Sequence, residues 1–343
     1  MKIGHVFLIL CLQVTLLFGM PVAGQGASEP ADRQQKQEYV VKITDILSDV
    51  TFFVNPVGSF AGKLKENSDF NHANVTPVVF EYDYDHPKLA ELKEKYDLET
   101  IAGPGDTQDR AIKLLDWLCS GTQHKGDYDN HVEMNALALL EYTFNQGREK
   151  GVNCFNLSII LSEMYLSVGI QARALFLMPQ NPEDMDNHVV VMVWIPEKDK
   201  WIMLDPSFNA YFSDTEGNIL SPAEIRKQLA ELKRFVNGKT LCLNPDAKID
   251  YNYYVRYMAK DMFYFHSFVK TNFGAFGEES TKVCSLCPKN FDIIDWALKN
   301  QLYRARSMGK TFSDEEIAQI EEKIRERGKK LLYVSAENFW SCQ

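Results

Sequence analysis

The sequence predicts an α+β fold, with helices packed against an antiparallel sheet. Three observations carry that prediction. Apolar residues recur at helical spacing in successive segments between residues 86 and 168. Three runs of strand character follow between 171 and 205, and the last two flank the polar turn "PEKDK". The change from helical spacing to an antiparallel set of short apolar runs after residue 168 points to an α+β domain.

The helical segments read in order. "HPKLAELKEKYDL" has Pro87 near its first turn, with Leu89 and Leu92 three apart. Asp106 or Thr107 caps "QDRAIKLLDWLCS", where Ile112, Leu115 and Leu118 share a face. "VEMNALALLEYTFNQG" reads as a helix ending near Gly147. Residues 154 to 168 form the next, capped by Asn153 and stopped by Gly169, with Leu157, Ile160, Leu161, Met164, Tyr165 and Val168 as one apolar face. The strands are "QARALFLM", "HVVVMVWI" from His188 to Ile195, and "KWIMLD". The second is apolar on both faces and is expected in the sheet interior.

The flanking regions are less regular. "DVTFFV" and "VTPVVFEYDY" read as short strands. Ser221, Pro222 and Glu224 form a capping box at the start of a helix. Residues 251 to 276 are rich in aromatics, which either pack a core or wall a groove. Ser313 caps a charged amphipathic helix that runs toward Gly328, with a final strand beyond it. These segments divide the chain into a signal peptide (1–24), a leader (25–40), an N-terminal α/β segment (41–104), a core (105–241) and a C-terminal extension (242–343) that packs on or near a cleft.

At 343 residues and 45% hydrophobic content, the chain is long enough for one large domain or two modest ones. Its net charge of −10 argues against a nucleic-acid partner. The start, "MKIGHVFLILCLQVTLLFGMPVAGQG", has a basic residue, an apolar run and small residues near Ala23, the pattern of a secretory signal. It predicts a mature chain outside the cytoplasm, periplasmic or secreted, with no membrane insertion after cleavage. Six cysteines then remain, too few for a disulfide scaffold. Cys284 and Cys287 form a lone CxxC, either a local disulfide or two unlinked thiols. Pro288 and Asn290 suggest a turn after it rather than a redox helix. The seven histidines are scattered, and Asp127, Asp129 and His131 make no convincing ligand set, so neither metal nor cofactor is expected.

Cys154, His188 and Asp205 are the candidate catalytic residues. A thiolate is nucleophilic only where something stabilises it, and a helix N-terminus and an imidazolium both do so. His188 opens a strand and could protonate a leaving group, while Asp205 ends the next strand and could fix the imidazole tautomer. Each residue also has a plain structural reading: a core thiol, a strand-edge histidine and a turn aspartate before Pro206. The register matters. A turn centred on Pro196 and Glu197 puts His188 opposite Asp205, and one centred on residues 198 and 199 offsets them by about four.

The segment "GVNCFNLSIILSEMYLSVGIQARALF", with "NHVVVMVW" and "KWIMLDPSFNAYF", resembles the transglutaminase-like superfamily over about residues 108 to 212. The matching features are Cys154 opening a helix, Gly169 to Arg173, His188 at a strand start and Asp205-Pro206. Two features depart from the family pattern: the glycine lies three residues before the cysteine, at Gly151, and Val189-Val190 follow the histidine.

The resemblance implies a papain-like core and a Cys-His-Asp triad for acyl transfer on a peptide or protein substrate. Cell-wall peptides are within reach of such an enzyme outside the cytoplasm. Hydrolysis, deamidation and cross-linking stay open; hydrolysis is preferred because water needs no second site. The oxyanion would be met by the Cys154 N–H and one further donor, for which Trp117, His124 and His131 are candidates, or else residues of the cleft wall. The competing reading is a non-catalytic module that binds peptide or glycan on the same fold.

Overall fold

The computed structural model describes residues 57–237, 242–244, 247–274 and 282–342. The signal-like start, the leader and the run 49–54 lie outside the described residues. The described chain is α+β, built on a six-stranded sheet: β1 (Ala172–Met178), β2 (His188–Ile195), β3 (Lys200–Leu204), β4 (Tyr264–Phe268), β5 (Val283–Leu286) and β6 (Leu332–Tyr333). The order is β6-β5-β4-β1-β2-β3. Neighbours are antiparallel except β5 and β6, so the sheet is mixed, not purely antiparallel as the sequence suggested. The reason is topological. The helices Ile293–Ser307 and Asp314–Gly328 intervene between β5 and β6, and a helical crossover returns the chain parallel. Three of the six strands come from residues beyond 241, so the sheet runs across the boundary between core and extension.

The helix Cys154–Ser167 is the centre of the molecule. Every residue from Phe155 to Ser167 is buried, not only the expected apolar face. β1 and β2 cover one side, and the helices Pro87–Lys95, Thr107–Gly121 and Ala136–Thr143 cover the rest. Its polar residues are tied down accordingly. Ser158 Oγ donates to the Val189 carbonyl at 3.0 Å, and the Glu163 carboxylate accepts from the N–H groups of Ala136 and Gly274. Burial pushes the Glu163 carboxyl up to about 8, although those two donors pull the other way.

Local sequence explains the element ends. Asp106, Asn153, Ser221 and Ser313 each accept a backbone N–H at a helix start, the last two within capping boxes. Asn135 does the same for Ala138 N–H, so that helix spans only Ala136–Thr143 instead of the longer run expected from 132. Gly169, at φ +76°, ends the central helix in a conformation that costs other residues strain. The run 75–84 forms only the two-residue strand Glu81–Tyr82. Pro77 has no N–H, and both backbone groups of Val78 are taken by the Asn338 side-chain amide, at 2.8 Å each. In the aromatic stretch, Tyr254, Phe263, Tyr264, Phe265 and Phe268 are buried in the core.

Arg173 closes the back of the sheet. It is fully buried, its guanidinium 3.5 Å from the Phe80 ring centre, and it donates to the Phe339 carbonyl. Thus the arginine of the Gly169–Arg173 segment fastens the C-terminal helix Ala336–Phe339 to β1.

Candidate functional site

Cys154 is the first residue of the central helix and is partly exposed, the only residue of that helix that is not buried. Asn153 caps the turn by accepting the Asn156 N–H at 3.1 Å, leaving the thiol at the positive end of the helix. A second segment is clipped alongside. Val152 donates to the Gln123 carbonyl at 3.0 Å, and Lys125 donates to the Val152 carbonyl at 2.9 Å. His124 sits between them in a parallel bridge with Val152. The clip explains the displaced glycine. A Cβ on Gly151 would lie 2.9 Å from both the Gln123 carbonyl oxygen and the Lys125 Cβ, so the close approach of residues 123–125 requires glycine there.

The hairpin brings His188 and Asp205 together through a register between the two anticipated ones. Val191 pairs with Leu204 and Ile195 with Lys200, which centres the turn between Glu197 and Lys198. One further step puts Asp205 opposite Val190, two residues from His188. Residues two apart share a sheet face, so the contact is diagonal and needs no bulge. His188 Nε2–H donates to Asp205 Oδ2 at 2.7 Å, both side chains being buried. With Nε2 engaged, the Nδ1 side of the ring remains for Cys154.

The two oxygens of Asp205 have different tasks. Oδ1 accepts the N–H groups of Ser207 (2.9 Å) and Phe208 (3.3 Å), forming the turn through Pro206. Oδ2 takes His188 and the Tyr254 hydroxyl, the latter at 2.9 Å. Asp205 therefore braces the turn and bonds His188 at the same time. The His188 ring is flanked edge-on by Phe208 and Tyr257, with centroids at 5.6 and 5.2 Å.

Electrostatics follow from these neighbours. Burial pushes the Cys154 thiol up, but hydrogen bonds with His124 and His188 and their charges pull it down to about 7. Burial works against the His188 imidazolium. The charge and hydrogen bond of Asp205, aided by Cys154, outweigh it and hold the imidazole well above its ordinary value.

Cys154, His188, Asp205 and His124 are thus brought together, and the other two candidates sit in different settings. Trp117 stacks on Phe144 at 4.3 Å and meets Tyr96 edge-on, within an aromatic cluster. His131 pairs with the exposed Asp129 and packs edge-on to Tyr142. Tyr254 and Tyr257 were not singled out from the sequence, because their place beside Asp205 and His188 depends on contacts 49 and 69 residues away along the chain. Among the described residues, Cys154, Cys284, Cys287 and Cys342 form no disulfide, and Cys119 Sγ donates to the Pro206 carbonyl at 3.1 Å. Among the described residues no cluster of three or more His, Cys, Asp or Glu side chains could hold a metal ion, and no helix is long and apolar enough to cross a membrane. Two open pockets of about 450 and 410 Å³ meet at Trp340, and neither is lined by Cys154, His188 or Asp205.

Comparison with known proteins adds one finding. Residues 94–206 match the core of the transglutaminase-like superfamily. The matched segment begins within the Pro87–Lys95 helix and ends at Pro206, so it contains Cys154, His124, His188 and Asp205 but not Tyr254. Neither a curated protein nor a solved structure gives a match.

Proposed function

We propose that this protein is a thiol-dependent acyl-transfer enzyme that cleaves a peptide or amide bond, with a papain-like arrangement of Cys154, His188 and Asp205. One observation carries the reading: a thiol at a helix N-terminus faces an imidazole whose far nitrogen is bonded to a buried, turn-locked carboxylate. That is the donor set a cysteine nucleophile needs.

The thiolate of Cys154 attacks the carbonyl carbon, and the carbonyl electron pair moves to oxygen. The Cys154 N–H, in the first turn of the helix, is one donor toward that oxyanion. His124 is the favoured second donor, because it already reaches the Cys154 thiol. The His188 imidazolium gives its proton to the departing amine as the C–N bond breaks, leaving a thioester. His188 then takes a proton from water, whose oxygen attacks the thioester and releases the carboxylic acid and the thiolate. An amine in place of water would give cross-linking by the same steps. Water is preferred because it needs no second binding site. The signal-like N-terminus supports a peptide or protein substrate met outside the cytoplasm.

The test is to incubate the protein with a mixed library of glutamine-containing and glutamine-free peptides and to follow Cys154 by intact-mass spectrometry. An acyl adduct on Cys154, absent from Cys154→Ser, with free acid as product, is expected. No adduct with any peptide, with or without an added amine, would favour a binding module instead.

A further inference from the structure

Tyr254 lies in the helix Tyr251–Asp261, outside the segment that matches the superfamily core. Its side chain is fully buried, and its hydroxyl donates to Asp205 Oδ2, the same oxygen that receives the His188 Nε2–H. The ring is set by packing and not by a loop. It stacks on Phe212 at 5.1 Å and 15°, and tilts against Phe208 at 4.9 Å. Asp205 thereby accepts from the Ser207 and Phe208 N–H groups on one oxygen and from His188 and Tyr254 on the other. A buried carboxylate in that position is held in one orientation by its four donors.

We propose that Tyr254 is a positioning residue of the thiol site, clamping Asp205 Oδ2 against His188, so that the helix Tyr251–Asp261 is an integral part of the catalytic assembly. The inference rests on the acyl-transfer reading above. Burial, and then the neighbouring carboxylate, push the Tyr254 phenol well above its ordinary value, so it stays a donor at every working pH. The hydroxyl draws part of the Oδ2 charge to itself, and that share is largest when His188 is neutral. Removing it returns the charge to the His188 bond and holds the imidazolium more tightly. The other titratable groups that act on this network are Cys154, Tyr257, Asp261 and, through Tyr257 and Asp261, Asp186 and Lys260; His124 acts through Cys154, whereas burial keeps the Tyr251 phenol protonated, so it brings no charge to the network.

The experiment uses the full chain and measures iodoacetamide alkylation of Cys154, read by mass spectrometry, as a function of pH. Wild type is compared with Tyr254→Phe, His188→Ala and Tyr251→Phe. The last removes a buried hydroxyl on the same helix that bonds to no described atom. In Tyr254→Phe the alkaline limb, where the imidazolium loses its proton, moves up by about half a unit, and Tyr251→Phe superimposes on wild type. A Tyr254→Phe profile identical to wild type, with His188→Ala still abolishing the low-pH thiolate, overturns the role of Tyr254 alone. A wild-type thiol that titrates near 9 and ignores His188→Ala overturns the triad reading itself. A loosened site would move the acid limb up instead, toward an ordinary thiol, and that result also refutes the proposal. One readout needs no variant. The Tyr254 hydroxyl proton should exchange slowly and give a resolved downfield resonance that moves when Cys154 is alkylated; a proton in fast exchange with water contradicts the clamp.

Discussion

Two regions of the molecule each hold thiols and an imidazole, one at the start of the central helix beside β2 and one on β4 and β5, and they are driven in opposite directions. At the site, Cys154 is pulled down to about 7 and His188 is held well above its ordinary value. Two strands away, burial alone pushes His266 down to about 3. Its Nδ1 faces the Ser285 hydroxyl at 2.5 Å, with Cys284 next along β5. Cys284 and Cys287 are pushed up to about 12, chiefly by burial, despite the pull of Arg173 on Cys284. The residue types are alike, but Cys154 is partly exposed at a helix start beside His124 and His188, whereas Cys284 and Cys287 are buried. The two imidazoles differ in their neighbours: His188 has the Asp205 carboxylate within hydrogen-bond reach, and His266 Nδ1 faces the Ser285 hydroxyl. Burial by itself disarms both a thiol and an imidazole; a buried carboxylate on the far ring nitrogen arms them. Cys284 lies within β5, and the turn expected after Cys287 is present, with the Phe291 N–H donating to the Pro288 carbonyl before the Asp292-capped helix Ile293–Ser307 begins.

The largest predicted effect breaks this comparison most directly. Near neutral pH the lowered Cys154 thiol should supply far more thiolate than Cys284 and Cys287, whose thiols burial pushes up. Iodoacetamide should therefore label Cys154 in the native protein, and Cys284 and Cys287 only after unfolding. Comparable native labelling at all three would erase the distinction. A smaller effect lies in stability against pH. His266 is depressed from 6.5 to about 3 in the folded chain, so its contribution is complete above 6.5 and is lost as pH falls toward 3. That loss is on the order of 4 kcal/mol. His188 is raised, so its contribution is complete below 6.5 and is lost as pH rises through its folded value. In urea titrations at several pH values, His266→Gln should flatten the acid side and His188→Gln the alkaline side. Equal slopes in both variants would contradict the assignment.

Much of the site was legible because it depends on local signals. The run His188–Ile195 is the observed strand, and Asn153 is the observed cap before Cys154. Asp205 before Pro206 marks the turn that orients its own carboxylate. What the sequence concealed is non-local. A stagger of two residues between β2 and β3 depends on whether the loop 196–199 closes with Asp199 left-handed, and polar turn composition does not determine this. β4 enters the sheet between β5 and β1 from a segment whose aromatics read first as core and second as groove wall. Tyr254, Phe263, Tyr264, Phe265 and Phe268 are core, and Tyr254 and Tyr257 reach Asp205 and His188. The strand expected over 75–84 was lost to one asparagine side chain more than 250 residues away. Gly151, which looked like a departure from the family pattern, is explained by the clip that delivers His124.

The central claim is that Asp205, through His188, makes Cys154 a nucleophile. Its most direct test is the pH dependence of Cys154 alkylation in wild type, His188→Ala and Asp205→Asn. The account predicts a wild-type thiol that reacts with a midpoint near 7, and a midpoint that climbs to 9 or beyond when either partner is replaced. A midpoint near 9 in the wild type, unmoved by both substitutions, would contradict it.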